Sequence, residues 1–129
     1  MKRAFLFPGQ GEDALPYLKK PAEHPTIAAT LAEAKRFLTE DSGDWQSDLA
    51  DDVVRNPLAI HVLSVAYARA LLAEGLIPDI VAGYSVGAFA AAVIAGVLTF
   101  GDSLILVQYR AQMMQRFFLK VMVWLLSTD

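Results

Sequence analysis

The chain has 129 residues, no cysteine and a formal net charge of −3 at pH 7. This length fits one domain with a substantial core, and the acidic balance argues against nucleic acid as a main partner. The lack of cysteine excludes disulfides, zinc–thiolate sites and thiol catalysis, and it is typical of a cytoplasmic protein. Hydrophobic residues make up 55% of the chain, which predicts either a deeply buried fold or a covering partner.

A short apolar run near the N terminus predicts the first buried strand. It extends from Arg3 to Phe7 and ends at Pro8-Gly9-Gln10-Gly11. Glycines on both sides of Gln10 leave its backbone N–H accessible to a ligand. An ordinary strand-ending turn would have the same spacing, so the residues by themselves leave both interpretations open.

A helix and an acidic segment are predicted next. Between Thr26 and Leu38, apolar residues recur at steps of three and four, which indicates a helix with one apolar face. Between Thr39 and Asp52 the chain is rich in acidic residues and has no basic one. We expect a solvated connector there, with a metal site as the alternative, because no glycine-centred calcium loop is present.

The following helix is predicted to be buried. It begins at Asn56-Pro57, a cap followed by a first-turn proline, and it ends at about Glu74 before Gly75. Apolar residues surround it almost completely. His61 lies on this helix, and His24 lies in an earlier loop; each is either a catalytic base or, more commonly for a lone histidine, a hydrogen-bonded structural residue.

The stretch from Val81 to Ala92 predicts a strand, a sharp turn and a helix. Its pattern Gly83-x-Ser85-x-Gly87 is typical of a nucleophile elbow, in which a strained serine stands at a helix N terminus. Glycines lack a Cβ atom, so strand and helix can approach closely around the serine. Free N–H groups and the positive end of the helix dipole favour a developing negative charge there.

The uncharged stretch from Ile80 to Gly101 is also long enough to cross a bilayer as one helix. Its internal glycines and its acidic flanks, Asp79 and Asp102, argue against this alternative. Buried elements of an α/β core produce similar apolar runs.

A further helix is predicted from Ser103 to about Arg116, with Asp102 as its cap. The elbow helix rises about 15 Å from Ser85, and the next helix returns about 12 Å by Arg110. The guanidinium of Arg110 is therefore predicted to reach the level of Ser85, although a surface or ion-paired arginine is the alternative. The apolar end from Phe117 to Leu126 is too short to span a membrane and has no amphipathic period.

Three segments together resemble the malonyl-CoA:acyl-carrier-protein acyltransferase family: Phe5-Leu6-Phe7-Pro8-Gly9-Gln10-Gly11, Gly83-Tyr84-Ser85-Val86-Gly87-Ala88-Phe89-Ala90-Ala91 and Arg110-Ala111-Gln112-Met113-Met114. The Tyr84-Ser85-Val86 form of the elbow is similar to that of the malonate decarboxylase epsilon subunit. The resemblance covers about residues 2–116, and it implies an α/β-hydrolase-like acyltransferase domain with a parallel sheet. That domain would be partial and would lack the family's ferredoxin-like subdomain, and residues 117–129 would form an atypical apolar tail.

The resemblance also implies roles for the matching residues. Ser85 would be the nucleophile that takes malonyl from malonyl-CoA and passes it to the thiol of an acyl carrier protein, as in fatty acid biosynthesis. The backbone N–H groups of Gln10 and Val86 would form the oxyanion hole, and Arg110 would hold the malonyl carboxylate. Neither a metal nor a bound cofactor is implied, and no membrane or nucleic-acid partner is expected.

Two departures from the family pattern bear on activity. Tyr84 stands where the family usually has histidine, and the family's general-base histidine lies in a second half that has no counterpart after Ser85 here. We therefore expect a truncated or frameshifted chain with weak or no turnover. The alternatives are a serine esterase, which needs no arginine, and a non-catalytic module that docks on a partner through its apolar tail.

Overall fold

The computed structural model describes residues 1–9, 17, 22–38 and 55–127. Within these residues the chain forms β1 (Ala4–Phe7), α1 (Pro25–Phe37), α2 (Arg55–Ala73), β2 (Ile80–Gly83), α3 (Gly87–Ile94) and α4 (Phe100–Ser127). The predicted partial α/β fold with a small parallel sheet is therefore confirmed. Gln10 and the acidic segment, with its alternative metal site, lie outside the described residues.

The two strands pair in parallel, with Ala4 opposite Ile80 and Phe7 opposite Gly83. Parallel pairing brings the carboxyl ends of both strands to the same edge of the sheet. The ladder continues one step further, because the backbone N–H of Tyr84 donates to the carbonyl oxygen of Phe7 at 3.1 Å. The loop that begins at Pro8 therefore starts beside the turn that carries Ser85.

Helix α2 lies at the centre of the core and contacts α1, α3 and α4. Its burial follows from the apolar residues on almost every side, as the sequence predicted. Alternate strand residues complete the core, with Phe7 buried and Phe5 and Val81 partly buried, while Leu6 and Ile80 on the other face are exposed. Helix α3 packs against both strands and holds the sheet on the core.

The end of α2 agrees with its sequence signal. Gly75 has a φ of 82°, a left-handed conformation that glycine adopts without a Cβ penalty. The N–H of Leu76 donates to the carbonyl of Leu71, and the N–H of Gly75 donates to that of Leu72, both at 3.0 Å. This pair of bonds is a Schellman motif, which satisfies carbonyls of the last turn.

The predicted start and end of α4 were wrong. Thr99, not Asp102, caps the helix, because the Thr99 hydroxyl accepts the N–H of Asp102 at 3.1 Å. The helix consequently begins at Phe100, and Asp102 lies in its first turn, where the positive end of the helix dipole stabilises a carboxylate. At its other end α4 continues without a break to Ser127, past the predicted end at Arg116.

The bilayer-spanning alternative for the stretch from Ile80 to Gly101 is wrong. The stretch divides into β2, a turn, α3 and the start of α4. Among the helices of the described residues, none combines the length and the apolar character that crossing a membrane requires. The large side chains at the end of α4 are exposed, including Phe117, Phe118 and Trp124.

Candidate active site

Ser85 lies in the sharp turn between β2 and α3. Its φ is 53°, and it is the one non-glycine residue with a positive φ among the residues that the structure describes. Backbone of this kind costs about 1–3 kcal/mol and persists only where the surroundings hold it in place. The serine side chain is exposed. The elbow that the sequence predicted is thus present, with the hydroxyl accessible at a helix N terminus.

Two glycines allow the strand and the helix to meet at this turn. A Cβ atom built on Gly83 would collide with the backbone of Gly87 and Ala88. A Cβ atom on Gly87 would collide with the carbonyl oxygens of Phe7 and Pro8. The obstructing atoms are backbone atoms, so no side-chain rotation could relieve either collision. Both glycines are therefore required by close packing rather than by an unusual φ.

The turn into α3 leaves the backbone N–H of Val86 available, whereas the next three N–H groups are bonded within the turn. Those of Gly87, Ala88 and Phe89 each donate to the carbonyl three residues earlier, at 2.9–3.1 Å. The N–H of Val86 has no such acceptor among the described residues. Val86 precedes the helix and its side chain is fully buried, which fixes its position. Its N–H can accordingly bind an anion that forms beside Ser85.

Arg110 reaches the serine from the middle of α4. Its Nη2–H donates to Ser85 Oγ at 3.1 Å, which agrees with the helix lengths used in the prediction. Within the described part of the chain, Arg110 forms no ion pair with a carboxylate. A cation that is unpaired and partly exposed next to a hydroxyl offers a binding position for the carboxylate of a ligand.

The loop after β1 passes directly beneath the elbow. A Cβ atom on Gly9, which is buried, would lie 2.6 Å from Tyr84 Cδ1 and 3.3 Å from Ser85 Cβ. The sequence pattern pointed to Gln10 but not to this contact of its neighbour Gly9, which parallel pairing of the two strands could have indicated. Gln10 itself lies outside the described residues, so its assignment to the oxyanion hole stays a prediction.

Neither histidine contacts Ser85. His24 caps α1 by accepting the Thr26 N–H at 3.1 Å, and its Nε2–H donates to Glu74 at 2.9 Å. His61 is fully buried, and its Nε2 lies 2.6 Å from Ser103 Oγ. Both rings therefore have the structural role that the sequence analysis weighed against catalysis.

The bonding of Ser103 determines the tautomer of His61. Ser103 donates its one hydroxyl proton to the carbonyl of Phe100 at 2.6 Å, so it must accept the Nε2–H of His61. Nδ1 of His61 is then the unprotonated nitrogen, and no described residue forms a hydrogen bond to it. Burial lowers the pKa of His61 to about 4.

The depressed pKa of His61 predicts a loss of stability in mild acid. Between the unfolded pKa, about 6.5, and the folded pKa, about 4, the unfolded chain binds a proton that the folded chain excludes. The contribution of His61 to stability should therefore be complete above pH 6.5 and fall by roughly 3 kcal/mol toward pH 4. Urea unfolding of the wild type and of His61→Gln across this range measures the effect.

The other histidine provides a matched control for that measurement. His24→Asn replaces the ring nitrogen at the helix cap by a side-chain oxygen acceptor and leaves His61 in place, so the slope that His61 causes should remain. His61→Gln should lose most of the slope, since glutamine does not titrate. An unchanged slope in His61→Gln would contradict the burial of a neutral imidazole.

A separate apolar cavity of about 590 Å³ lies between β1 and α2. Phe5 of β1 and Tyr67 of α2 line it, and so does Tyr17, which lies outside both elements. Neither Ser85 nor Arg110 is among its described lining residues, so this cavity is separate from the elbow. The described residues also contain no group of three or more side chains placed to hold a metal ion.

Comparison with known proteins connects this geometry to one family. Residues 20–120 match the family model described as "Acyl transferase domain". A malonyl CoA-acyl carrier protein transacylase of Salmonella typhimurium is 33% identical over 118 residues, covering 87% of this chain and 38% of that protein. A Mycobacterium marinum phenolphthiocerol synthesis polyketide synthase is 36% identical over 123 residues, covering 88% of this chain and 6% of the synthase.

Solved structures give the same result. An acyl-carrier-protein S-malonyltransferase from Burkholderia pseudomallei superposes with a TM-score of 0.78 at 38% identity, covering 89% of this chain and 39% of that one. An acyl carrier protein S-malonyltransferase from Vibrio cholerae gives a TM-score of 0.73 at 32% identity, with coverages of 89% and 40%. The chain thus spans about two-fifths of the length of the Salmonella, Burkholderia and Vibrio relatives. It belongs to the acyl transferase domain family.

Proposed function

We propose that this chain takes a malonyl group from malonyl-CoA onto Ser85 and passes it to the thiol of an acyl carrier protein. The observation that carries the proposal is the 3.1 Å contact between the Arg110 guanidinium and Ser85 Oγ at the elbow. A nucleophile beside an unpaired cation suits an acyl group that bears its own carboxylate. Relatives named as malonyl CoA-acyl carrier protein transacylases support this substrate and this acceptor.

In the first step the Ser85 oxygen forms a bond to the thioester carbonyl carbon, and the carbonyl oxygen becomes an oxyanion. The N–H of Val86 stabilises that oxyanion, and we assign the second donor to Gln10. Collapse of the intermediate breaks the carbon–sulfur bond, and the departing thiolate of coenzyme A takes the proton that the serine lost. In the second step the carrier thiol attacks the seryl ester, and Ser85 recovers its hydroxyl.

The rate of the first step depends on how the serine proton is removed. Among the described residues, the hydrogen-bond partner of Ser85 Oγ is Arg110, and neither an imidazole nor a carboxylate contacts it. A serine without an adjacent base is a weak nucleophile. We therefore propose slow acylation, driven by the oxyanion donors and by positioning, and the experiment must detect stoichiometric rather than catalytic product.

Mass spectrometry tests the proposal directly. The protein is incubated with malonyl-CoA, and its intact mass and its peptides are measured. One malonyl group on the peptide that contains Ser85 is expected, with none on the same peptide of Ser85→Ala. Addition of an acyl carrier protein that bears its phosphopantetheine arm should remove the label. Labelling that is unchanged in Ser85→Ala, or that falls on lysines, would refute the site.

Ester hydrolysis and partner binding separate the alternative functions. A serine esterase would hydrolyse neutral esters at a rate that Arg110→Ala leaves unchanged. A non-catalytic docking module would retain a partner through the exposed apolar end of α4, whether or not Ser85 is replaced. We favour acyl transfer because neither alternative has a use for a guanidinium at the serine.

We further propose a division of the chain and a closer relationship within the family. Residues 1–116 would be the N-terminal part of an acyltransferase domain and 117–129 an apolar tail. The family match over residues 20–120 supports the acyltransferase assignment of the first part and extends four residues past the proposed boundary. The Tyr84-Ser85-Val86 elbow suggests the malonate decarboxylase epsilon subunit as the nearer group. A phylogeny of residues 1–116 that includes both groups tests this placement. We also propose a cytoplasmic location, because cysteine is absent from the chain.

A further inference from the structure

The contact between Arg110 and Ser85 affects the serine as well as the arginine. The guanidinium is donor only, so the Ser85 oxygen must accept, and one of its lone pairs is directed at Arg110 Nη2. Nucleophilic attack uses a lone pair of the same oxygen. While the contact lasts, the oxygen is less available to a thioester carbon.

The hydrogen bond between Arg110 and Ser85 can be broken by movement of the arginine side chain, whereas the serine is held in place. The positive φ of Ser85 and the packed glycines around it fix the serine backbone. Arg110 instead extends a long side chain from the middle of α4, and among the described residues no carboxylate anchors its end. A carboxylate makes charge-assisted, two-pronged bonds to guanidinium that are stronger than one bond to a neutral hydroxyl.

We propose that Arg110 acts as a latch that holds the Ser85 hydroxyl until the carboxylate of the acyl group withdraws the guanidinium. This inference rests on the proposed function, since it assigns a second role to the same pair. Binding of the carboxylate and release of the nucleophile are then one event. A neutral acyl group such as acetyl provides no anion, leaves the latch closed, and is rejected for a reason additional to weak binding.

The latch makes an unusual thermodynamic prediction about Ser85→Ala. Because the hydroxyl and the carboxylate compete for Arg110, removal of the hydroxyl frees the guanidinium in the unbound protein. Malonate should consequently bind Ser85→Ala more tightly than the wild type, by roughly fivefold for a hydrogen bond of ordinary net strength. A serine that merely contributed a bond to the ligand would give the opposite result.

The experiment is a titration of malonate into four proteins, followed by calorimetry and by the ¹⁵N resonances of the arginine guanidinium groups. The four are the wild type, Ser85→Ala, Arg110→Gln and Arg116→Gln, the last a basic residue of the same helix and a matched control. We expect tighter binding in Ser85→Ala, loss of binding in Arg110→Gln, and wild-type binding in Arg116→Gln.

The outcomes distinguish the latch from the function on which it rests. Equal or weaker binding in Ser85→Ala, with binding still lost in Arg110→Gln, would overturn the latch and leave the carboxylate site intact. Binding that is the same in all four proteins would overturn both, because malonate would then not contact Arg110. A fifth protein, the double variant Ser85→Ala/Arg110→Gln, provides one more test: if it kept the tighter binding of Ser85→Ala, the latch would also be overturned.

Discussion

Replacement of Gly83 by alanine is expected to cost more than about 4 kcal/mol, which is a large part of the total stability of a small domain. The added methyl group would enter the space that the backbone of Gly87 and Ala88 occupies. Because backbone atoms cannot rotate away, either β2 or the start of α3 must move. The predicted consequences are a lower urea midpoint and, in any folded fraction, separation of Ser85 from Arg110.

A second glycine provides the matched control. Gly75 also has a special role, at the end of α2, but a Cβ atom there would have nothing within 4 Å. Gly75→Ala should cost only the left-handed backbone penalty of about 1–2 kcal/mol. If Gly83→Ala and Gly75→Ala lowered the free energy of unfolding equally, close packing at the elbow would not be the reason for glycine at position 83.

Replacement of Arg110 by glutamine is expected to lower the preference for malonyl over acetyl by roughly ten- to a hundredfold. Malonyl-CoA and acetyl-CoA differ by one carboxylate, so the ratio of their acylation rates isolates the group that Arg110 would bind. Hydrogen bonds to charged groups contribute about 1.5–3 kcal/mol, which corresponds to this range. The ratio is measured by timed mass spectrometry of the Ser85 peptide with each thioester.

Two further variants determine whether the charge or the planar shape of the Arg110 side chain causes the preference for malonyl over acetyl. Arg110→Lys keeps the positive charge but loses the planar fork, so it should recover only part of the preference. Arg116→Gln, which lies on the same helix and is exposed, should keep the wild-type ratio. A malonyl-to-acetyl ratio that is unaffected by Arg110→Gln would show that the carboxylate is recognised elsewhere.

The sequence determined the local elements of this protein because each has a short-range cause. The pattern Gly83-x-Ser85-x-Gly87 specified a tight strand-to-helix turn, and the structure has that turn with a φ of 53° at Ser85. Gly75 specified where α2 ends, since few residues other than glycine adopt its left-handed conformation easily. The approach of Arg110 to Ser85 could be predicted because helix rise converts residue number into distance.

The sequence did not predict the start of α4 correctly, because two residues near it could each cap the helix. Asp102 and Thr99 are both good N-cap residues, and propensity alone does not choose between them. Burial of Phe100 and Gly101 in the core drew the first turn of α4 back to Thr99. Tertiary packing also leaves little room for a side chain at position 101, because a Cβ atom there would lie 2.6 Å from the ring of Phe37.

The roles of the polar residues were decided only by the tertiary structure. From the sequence His61 could have been a base, but the fold places it 2.6 Å from Ser103 and away from Ser85, in the core between α2 and α4. Parallel pairing of β1 and β2 brings Gly9 beneath Ser85, although the two residues are far apart in the chain. Contacts between residues far apart in the chain depend on how the elements pack, whereas turns and most helix ends depend on neighbouring residues. For this reason the sequence by itself determined the elbow, and the tertiary structure determined which residues surround it.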